Sequence, residues 1–322
     1  MKIRRPILVW LAILATAVSI AAADPSPATR APGDPDLAIQ GEYEGKLDED
    51  KWGVQIIAMG DGKFDVVAYV GGLPGAGWDG ERETLLQGTG ECKNGKASLK
   101  ADRFSGVIEK GVLQVSENGV LLGTLKRTER TSPTLGAKPP EGALVLFDGK
   151  DTDQWKQGRM TNDGLLMAGA TTKAEFQSFS AHVEFRTPFQ PKARGQGRGN
   201  SGFYAQGRYE VQVLDSFGLK GENNECGGLY SIKAPDLNMC LPPLQWQTFD
   251  IDFTAAQFDS SGKKTKNARF TVKHNGVLIH NEVEADHSTT AAQGGEAPAP
   301  GPINLQDHGN PVVYRNIWVV AK

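Results

Sequence analysis

The sequence predicts an all-β protein in which a smaller antiparallel β domain precedes a larger β-sandwich. Apolar and polar residues alternate in many short runs, turns rich in Gly and Asn separate these runs, and no long stretch has helical periodicity. Strand side chains point alternately to the two faces of a sheet, so this alternation is typical of half-buried strands. The 322 residues are enough for two domains of this kind.

The N-terminus has the pattern of an export signal. Arg4 and Arg5 give a basic start, residues 7–20 are apolar, and three alanines at 21–23 supply a cleavage site before Asp24. The apolar run is shorter than the ~20 residues that span a bilayer, although an uncleaved anchor stays an alternative. We predict a signal peptide over residues 1–23, a periplasmic or extracellular location, and no membrane span after cleavage.

Two segments rich in proline mark the domain boundaries. Residues 24–36 combine Pro, Ala and charge, a composition typical of a disordered tether. Residues 131–142 (TSPTLGAKPPEG) form a second break and predict a linker. These boundaries leave a small β domain of unknown role at 37–130 and the larger domain at 143–322.

Hairpin signals are dense in residues 37–130. Asn94-Gly95 and Asn118-Gly119 are strong signals for two-residue turns between antiparallel strands. The segment predicts a barrel or sandwich of roughly six to eight strands. Its 71–80 loop carries Trp78, which could stack on a sugar or simply close the end of the small core.

The segment 143–322 is also β throughout. Residues 181–186 and 209–214 alternate as half-buried strands should, and Asn275-Gly276 marks another hairpin. Roughly ten to fourteen strands of this kind favour a two-sheet sandwich or jelly roll. The long loop 288–302 is rich in Ala, Gly and Pro, and loops of this length are usually disordered or functional.

Charge and cysteine content exclude some classes of function. The net charge of −3 is mixed along the chain with no basic stripe, so nucleic acid is not an expected partner. Cys226 and Cys240 could pair in an exported protein, which sequence spacing does not decide, and Cys92 would then be left over.

Metal and cofactor signals are weak. No two of the five histidines have the spacing of metal ligands, and the sequence requires no cofactor. A structural Ca²⁺ at loop carboxylates such as Asp163 or Asp259 stays open.

The run 209–215 (YEVQVLD) carries the main candidate chemistry. Strand alternation places Glu210 and Gln212 on one face, and a β-bulge near residues 213–214 would swing Asp215 to join them. Two carboxyl groups close together in a groove are the usual apparatus of glycoside cleavage. The alternative is that Glu210 and Gln212 are ordinary strand residues and that Asp215 caps a turn.

Polar residues near the C-terminus and at 198–204 complete the candidate set. Gln306, His308 and Arg315 are donors suited to sugar hydroxyls or a carbonyl, although Arg315 could instead pair with a carboxylate. Asn200 lies in a Gly-rich run with no helix after it, so a phosphate loop is not indicated.

Several runs of the larger domain resemble the bacterial 3-keto-disaccharide hydrolase family. The similar runs are 146–150 (LFDGK), 179–188 (FSAHVEFRTP), 199–203 (GNSGF), 209–216 (YEVQVLDS) and 301–318 (GPINLQDHGNPVVYRNIW). They occur in the family's order and do not extend into residues 37–130. The basic loop 189–199 and the loop 288–302 are longer than the resemblance leads us to expect.

The resemblance implies a concanavalin A-like jelly roll that cleaves sugars already oxidised at C3. It implies Glu210 or His308 as the base, Asp215 as the acid, and Asn200, Gln212, Gln306 and Arg315 as substrate-binding residues. Two other functions stay open: a non-catalytic carbohydrate-binding sandwich, and a retaining glycosidase on unoxidised glucan. The latter is disfavoured because Gln212 stands where such enzymes usually carry a third carboxylate.

Overall fold

The computed structural model describes residues 33–82 and 85–322. The predicted signal peptide, 1–23, and most of the predicted tether lie outside the described residues. The chain is all-β, as the sequence predicts, with short 3-10 turns at Pro35–Ala38 and Gly195–Gly197. No helix among the described residues has the length and apolar character needed to cross a membrane.

The first domain is a closed antiparallel barrel of eight strands in sequence order. Its strands are Gly41–Leu47 (β1), Asp50–Gly60 (β2), Lys63–Val70 (β3), Leu86–Lys93 (β4), Lys96–Ala101 (β5), Phe104–Glu109 (β6), Val112–Glu117 (β7) and Val120–Thr128 (β8). The predicted hairpin turns occur where expected: Asn94 and Gly95 have φ of 53° and 75°, and Asn118 and Gly119 have 48° and 84°. Positive φ at both central residues gives a turn whose twist matches the strands.

The second domain is a sandwich of two antiparallel sheets. The front sheet contains Trp155–Lys156 (β10), Ala170–Phe176 (β12), Gly301–Leu305 (β21), Ser201–Ala205 (β14) and Tyr209–Val213 (β15), in that spatial order. The back sheet contains Leu166–Met167 (β11), Val313–Ala321 (β22), Phe179–Arg186 (β13), Gln247–Thr254 (β16), Ala268–His274 (β19) and Val277–Ala285 (β20), with Leu144–Phe147 (β9) paired to β22. Gln257–Phe258 (β17) and Lys264–Lys266 (β18) form a small ribbon.

Strand alternation determines which face of each sheet enters the core. Phe203, Val211 and Val213 of the front sheet pack between the sheets with Val183 and Phe249 of the back sheet. Because successive strand residues face opposite sides, the residues between them point to the outer faces. The outer face of the front sheet therefore carries Tyr204 of β14 and Glu210 and Gln212 of β15.

The barrel packs directly on the sandwich. Ile57, Val67 and Tyr69 of the barrel belong to the same buried apolar cluster as the sandwich core. Gly218 lies against Ile57 so closely that a Cβ would overlap the Ile57 side chain. The two domains share apolar contacts of the kind that hold a single domain together.

The segment between β8 and β9, residues 129–143, lies along the outer face of the back sheet. The Ser132 hydroxyl is 2.6 Å from the Thr248 hydroxyl, and the Gly136 amide donates to Glu184 at 2.5 Å. The Ala137 carbonyl accepts a hydrogen bond from the Asn316 side chain at 3.0 Å. These contacts tie the predicted linker to the sheet.

Candidate functional site

The β14–β15 hairpin places polar side chains opposite one another on the outer face of the front sheet. Tyr204 pairs with Glu210 and Gly202 pairs with Gln212 in the strand register. The turn between the strands uses Gln206 and Gly207, whose φ values are 55° and 64°. Glu210 and Gln212 therefore share one face, as the alternation in the sequence predicts.

Glu210 lies almost fully buried against the backbone of β14. Only 2% of the residue is exposed, and its Oε1 atom has no hydrogen-bond partner among the described residues. A Cβ on Gly202 would overlap that same Oε1, so the carboxyl group occupies the space that glycine leaves open. The other oxygen, Oε2, accepts a hydrogen bond from the Tyr204 hydroxyl at 2.7 Å.

Burial determines the protonation of Glu210. Removal from water raises the pKa of Glu210 from 4.5 to about 7, and the hydrogen bond from Tyr204 only partly offsets that rise. No cation contributes to this shift. A carboxyl group with a pKa near neutrality can both take up and release a proton at physiological pH, which is what a general base requires.

A polar pocket of about 650 Å³ opens beside Tyr204. We call it the Tyr204 pocket; its walls include Arg159, Thr171, Tyr204, Asn304, Gln306 and Asp307. The Gln306 amide donates to the Tyr204 hydroxyl at 3.0 Å. Since that hydroxyl also donates to Glu210, Tyr204 connects the buried carboxyl group to the pocket.

Gln212 and Asn200 lie next to each other through a shared partner. The Gln196 side-chain oxygen accepts from Gln212 Nε2 at 2.9 Å and from Asn200 Nδ2 at 3.0 Å. The side-chain oxygens of Gln212 and Asn200 are buried with no donor among the described residues. The structure thus brings Glu210, Gln212 and Asn200 together at the β14–β15 hairpin. Each has a side-chain oxygen that accepts no hydrogen bond from the described residues.

The long 288–302 loop folds over Glu210. The Thr289 hydroxyl accepts a hydrogen bond from the Glu210 backbone N–H at 3.0 Å, and the Gln293 backbone N–H donates to the Gly207 carbonyl at 2.8 Å. Ala291 and Gln293 also form part of the wall of the Tyr204 pocket. The loop therefore covers the hairpin that carries Glu210 and forms part of the pocket wall.

Asp215 does not join Glu210 in the way the sequence predicts. Strand β15 ends at Val213, and the Asp215 carboxylate accepts from Arg198 Nε at 2.7 Å. Burial raises the pKa of Asp215, while the positive charge of Arg198 opposes that rise. The pair lines a cavity that faces the barrel, so Asp215 is removed from the candidate acid role.

Arg315 lies on the other sheet, in β22, and not beside the Tyr204 pocket. Its Nε donates to Glu184 at 2.6 Å, and its guanidinium lies 4.0 Å from the Trp246 ring centre. Burial alone would raise the pKa of Glu184, but hydrogen bonds from its neighbours, His182 and Asn316 among them, lower it to about 2. The structure agrees with the alternative that Arg315 pairs with a carboxylate. It does not support a sugar-binding role for Arg315.

His308 is exposed at the end of the segment that carries Gln306. It follows Asp307, which lines the Tyr204 pocket, and has no hydrogen-bond or ion-pair partner within residues 33–82 and 85–322. The structure thus places His308 near the rim of the pocket, outside the buried group around Glu210.

Tyr204 and Arg159 are among the pocket residues that the sequence patterns did not predict. Tyr204 could have been found, because a hairpin centred on Gly207 pairs it with Glu210. Arg159 lies between short strands, where it donates to the Ala168 carbonyl at 3.1 Å and lies 3.4 Å from Asp307. No pattern near Arg159 in the sequence indicated this position.

Neither metal nor disulfide features mark the site. Among the described residues, no group of three or more His, Cys, Asp or Glu side chains could hold a metal ion. Asp259 accepts from Ser261 and from the Lys263 amide within its own turn. Cys226 and Cys240 are buried free thiols.

Comparisons with known proteins find matches to the larger domain. A family model described as a 3-keto-alpha-glucoside-1,2-lyase-like domain matches residues 142–320, more than half of the chain. A solved structure from Parabacteroides distasonis, described as a candidate glycosyl hydrolase, is 32% identical. The match covers 57% of this chain and 85% of the solved chain, with a TM-score of 0.52.

Two further structures from that organism, described in the same words, are 18% and 20% identical, with TM-scores of 0.40 and 0.39. Each match covers 56% of this chain, and the two matches cover 94% and 99% of the respective solved chains. A search of curated proteins finds no significant match.

Proposed function

Because the chain belongs to the 3-keto-alpha-glucoside-1,2-lyase-like family over residues 142–320, we propose that it cleaves 3-keto-glycosides by elimination followed by hydration. The family and its solved relative support a glycoside-cleaving enzyme. The ketone at C3 and the order of the steps are part of the proposal.

The proposed reaction uses the acidity that a C3 ketone gives to the neighbouring C2–H. A base removes the C2 proton, and the electron pair is held as an enolate on the C3 oxygen. The enolate then collapses to form the C1–C2 double bond as the bond from C1 to the glycosidic oxygen breaks. The departing oxygen takes up a proton and leaves as an alcohol. Water then adds its oxygen to C1 and a proton to C2, so the net change is hydrolysis.

We assign the base to Glu210, acting through Tyr204. The buried carboxyl group has a pKa of about 7, and the Tyr204 hydroxyl donates to it at 2.7 Å while lining the pocket. A proton taken by the phenol oxygen can pass to Glu210 without exposing the carboxylate to water. The connection from Glu210 through Tyr204 to the pocket is the single observation that carries the proposal.

Besides a base, the reaction needs donors for the enolate oxygen, an acid for the departing oxygen and contacts to the sugar hydroxyls. Arg159 and Gln306 line the pocket and carry N–H donors for an enolate oxygen; such a donor, preorganised in a water-excluded site, is worth about 3 kcal/mol. We assign protonation of the departing oxygen to His308 at the rim, since imidazole commonly transfers protons near neutral pH. Asn200 and Gln212 do not line this pocket, and their substrate-binding role stays a prediction that rests on side-chain oxygens buried without a donor among the described residues.

The proposal is tested by giving the purified protein a disaccharide and its 3-keto form in parallel. Without the ketone the C2 proton is far less acidic, so we expect cleavage of the keto form to be at least about 1,000-fold faster. Product release is followed by chromatography at equal substrate concentrations. Robust hydrolysis of the ordinary disaccharide would instead favour a direct glycosidase. Binding of both sugars with no cleavage would favour a carbohydrate-binding protein.

A further inference from the structure

The barrel and the sandwich enclose a cavity that none of the catalytic residues lines. It has a volume of about 600 Å³ between strands β2–β4 of the barrel and the segments 194–198 and 215–225 of the sandwich. A smaller cavity of about 80 Å³ continues from it toward Trp78 and shares Val67, Leu219 and Lys220 with it. We call the two together the interdomain groove.

Two buried donors at the wall of the interdomain groove lack acceptors. The Trp78 Nε1 and Arg198 Nη2 atoms are each buried with no hydrogen-bond partner among the described residues. The rest of the Arg198 guanidinium is held by Asp215 at 2.7 Å and by the Ala58 carbonyl at 3.2 Å. A buried donor without an acceptor is destabilising, because it has lost its hydrogen bonds to water. A ligand oxygen that reaches either nitrogen after a small side-chain rotation would remove that cost.

The remaining wall of the groove combines apolar surface with balanced charge. Trp78 packs edge-to-face on Tyr69, with ring centres 5.0 Å apart. Val67 and Leu219 add aliphatic surface, and residues of both signs, such as Lys220 and Asp65, lie along it. Apolar walls with a few placed donors suit a ligand that has both C–H faces and oxygen acceptors. Balanced charge favours a neutral ligand, and a neutral saccharide has all of these properties.

We propose that the interdomain groove is a second carbohydrate-binding site, separate from the Tyr204 pocket, that holds a neutral saccharide between the barrel and the sandwich. The barrel thereby acquires a role in binding saccharide. Because the site contains none of the residues that act on the substrate, saccharide binding there does not depend on the cleavage chemistry.

The test measures binding of maltose and cellobiose to the full mature chain by calorimetry and by saturation-transfer NMR. Leu219 is 42% exposed, so Leu219→Trp should fold normally while filling the groove. We expect the variant to bind at least tenfold more weakly and to cleave the 3-keto disaccharide at the wild-type rate. Leu278→Trp, at an equally exposed leucine of β20 (43%), is the matched control and should bind as the wild type does.

Trp78→Ala provides a second variant, for which we expect the same loss of binding. Absence of saccharide binding by the wild-type chain would overturn the proposal. Binding that Leu219→Trp leaves unchanged would also overturn it, and loss of that binding in Gln306→Ala would place the saccharide in the Tyr204 pocket instead. Failure of the cleavage assay alone would count against the proposed function and not against this site.

Discussion

Replacing Glu210 with Gln is expected to lower kcat/KM for a 3-keto disaccharide by about 1,000-fold, because the amide cannot accept the C2 proton. Gln has nearly the same shape as Glu and keeps an oxygen that can accept a hydrogen bond from the Tyr204 hydroxyl. In the wild type this hydroxyl lies 2.7 Å from the carboxylate. The fold should therefore persist, and thermal unfolding should show a Tm close to that of the wild type. Steady-state kinetics of the purified variant measure the loss.

Glu175→Gln is the matched control for this variant. Glu175 lies in β12 of the same sheet, is exposed and has no role in the proposed reaction, so its amide variant should retain wild-type turnover. An active Glu210→Gln enzyme would remove Glu210 from the base role and leave His308 as the candidate.

The pH profile gives an independent check on the same group. A base works in its deprotonated form, so kcat/KM should fall about tenfold per pH unit as the pH drops below the pKa of about 7. Tyr204→Phe removes the hydrogen bond that lowers this pKa. The acid limb of its residual activity should therefore move to higher pH. An acid limb near pH 4.5 would show that burial does not control the reacting carboxyl group.

Replacing Gly202 with Ala is expected to lower kcat/KM by about 100-fold without touching an ionisable group. The new Cβ would overlap Glu210 Oε1, and the backbone of β14 is fixed by pairing on both sides, so the carboxyl group must move. A displacement of about 1 Å in a catalytic group commonly costs this much rate. Gly294→Ala, where a Cβ meets nothing within 4 Å, is the control and should leave kinetics unchanged.

A double-mutant cycle separates this effect from general damage to the sheet. If Gly202→Ala acts only by moving Glu210, adding it to Glu210→Gln should cost little further activity, because the base is already lost. Fully additive losses would mean that the alanine disturbs the pocket through some other residue.

Much of the fold was predictable because its information is local. Alternation in 209–214 placed Glu210 and Gln212 on one face, and the Asn-Gly pairs at 94–95 and 118–119 turn as predicted. Closure of the first eight strands into a barrel, and not a sandwich, depends on β1 pairing with β8. Residues so far apart in the chain leave no pattern that reveals their pairing.

The site was predictable only where it follows a single hairpin. Asp215 was misplaced because its partner, Arg198, lies on another segment and holds the carboxylate after β15 ends. Arg315 was misplaced for a similar reason, since its partner Glu184 belongs to the neighbouring strand of the back sheet. In both cases the charge is neutralised by a residue distant in the chain, and the sequence does not show which residue that is.

The arrangement around Glu210 differs from the usual pair of carboxylates in glycosidases. Those enzymes place two carboxyl groups across the scissile bond and pass through an oxocarbenium-like state. Here the second carboxylate, Asp215, is paired with Arg198 and faces the barrel. One buried base with a phenol beside it fits proton removal next to a ketone better than direct displacement at C1.

The most direct test of this account is the position of deuterium after cleavage in D₂O. Elimination followed by hydration places one solvent hydrogen on C2 of the released 3-keto sugar in every turnover, and NMR or mass spectrometry of early product detects it. The free 3-keto sugar incubated without enzyme corrects for spontaneous exchange. We expect one deuterium at C2 in early product from the wild-type enzyme. Cleavage at full rate with hydrogen retained at C2 would count against proton abstraction by Glu210 and would favour direct displacement at C1.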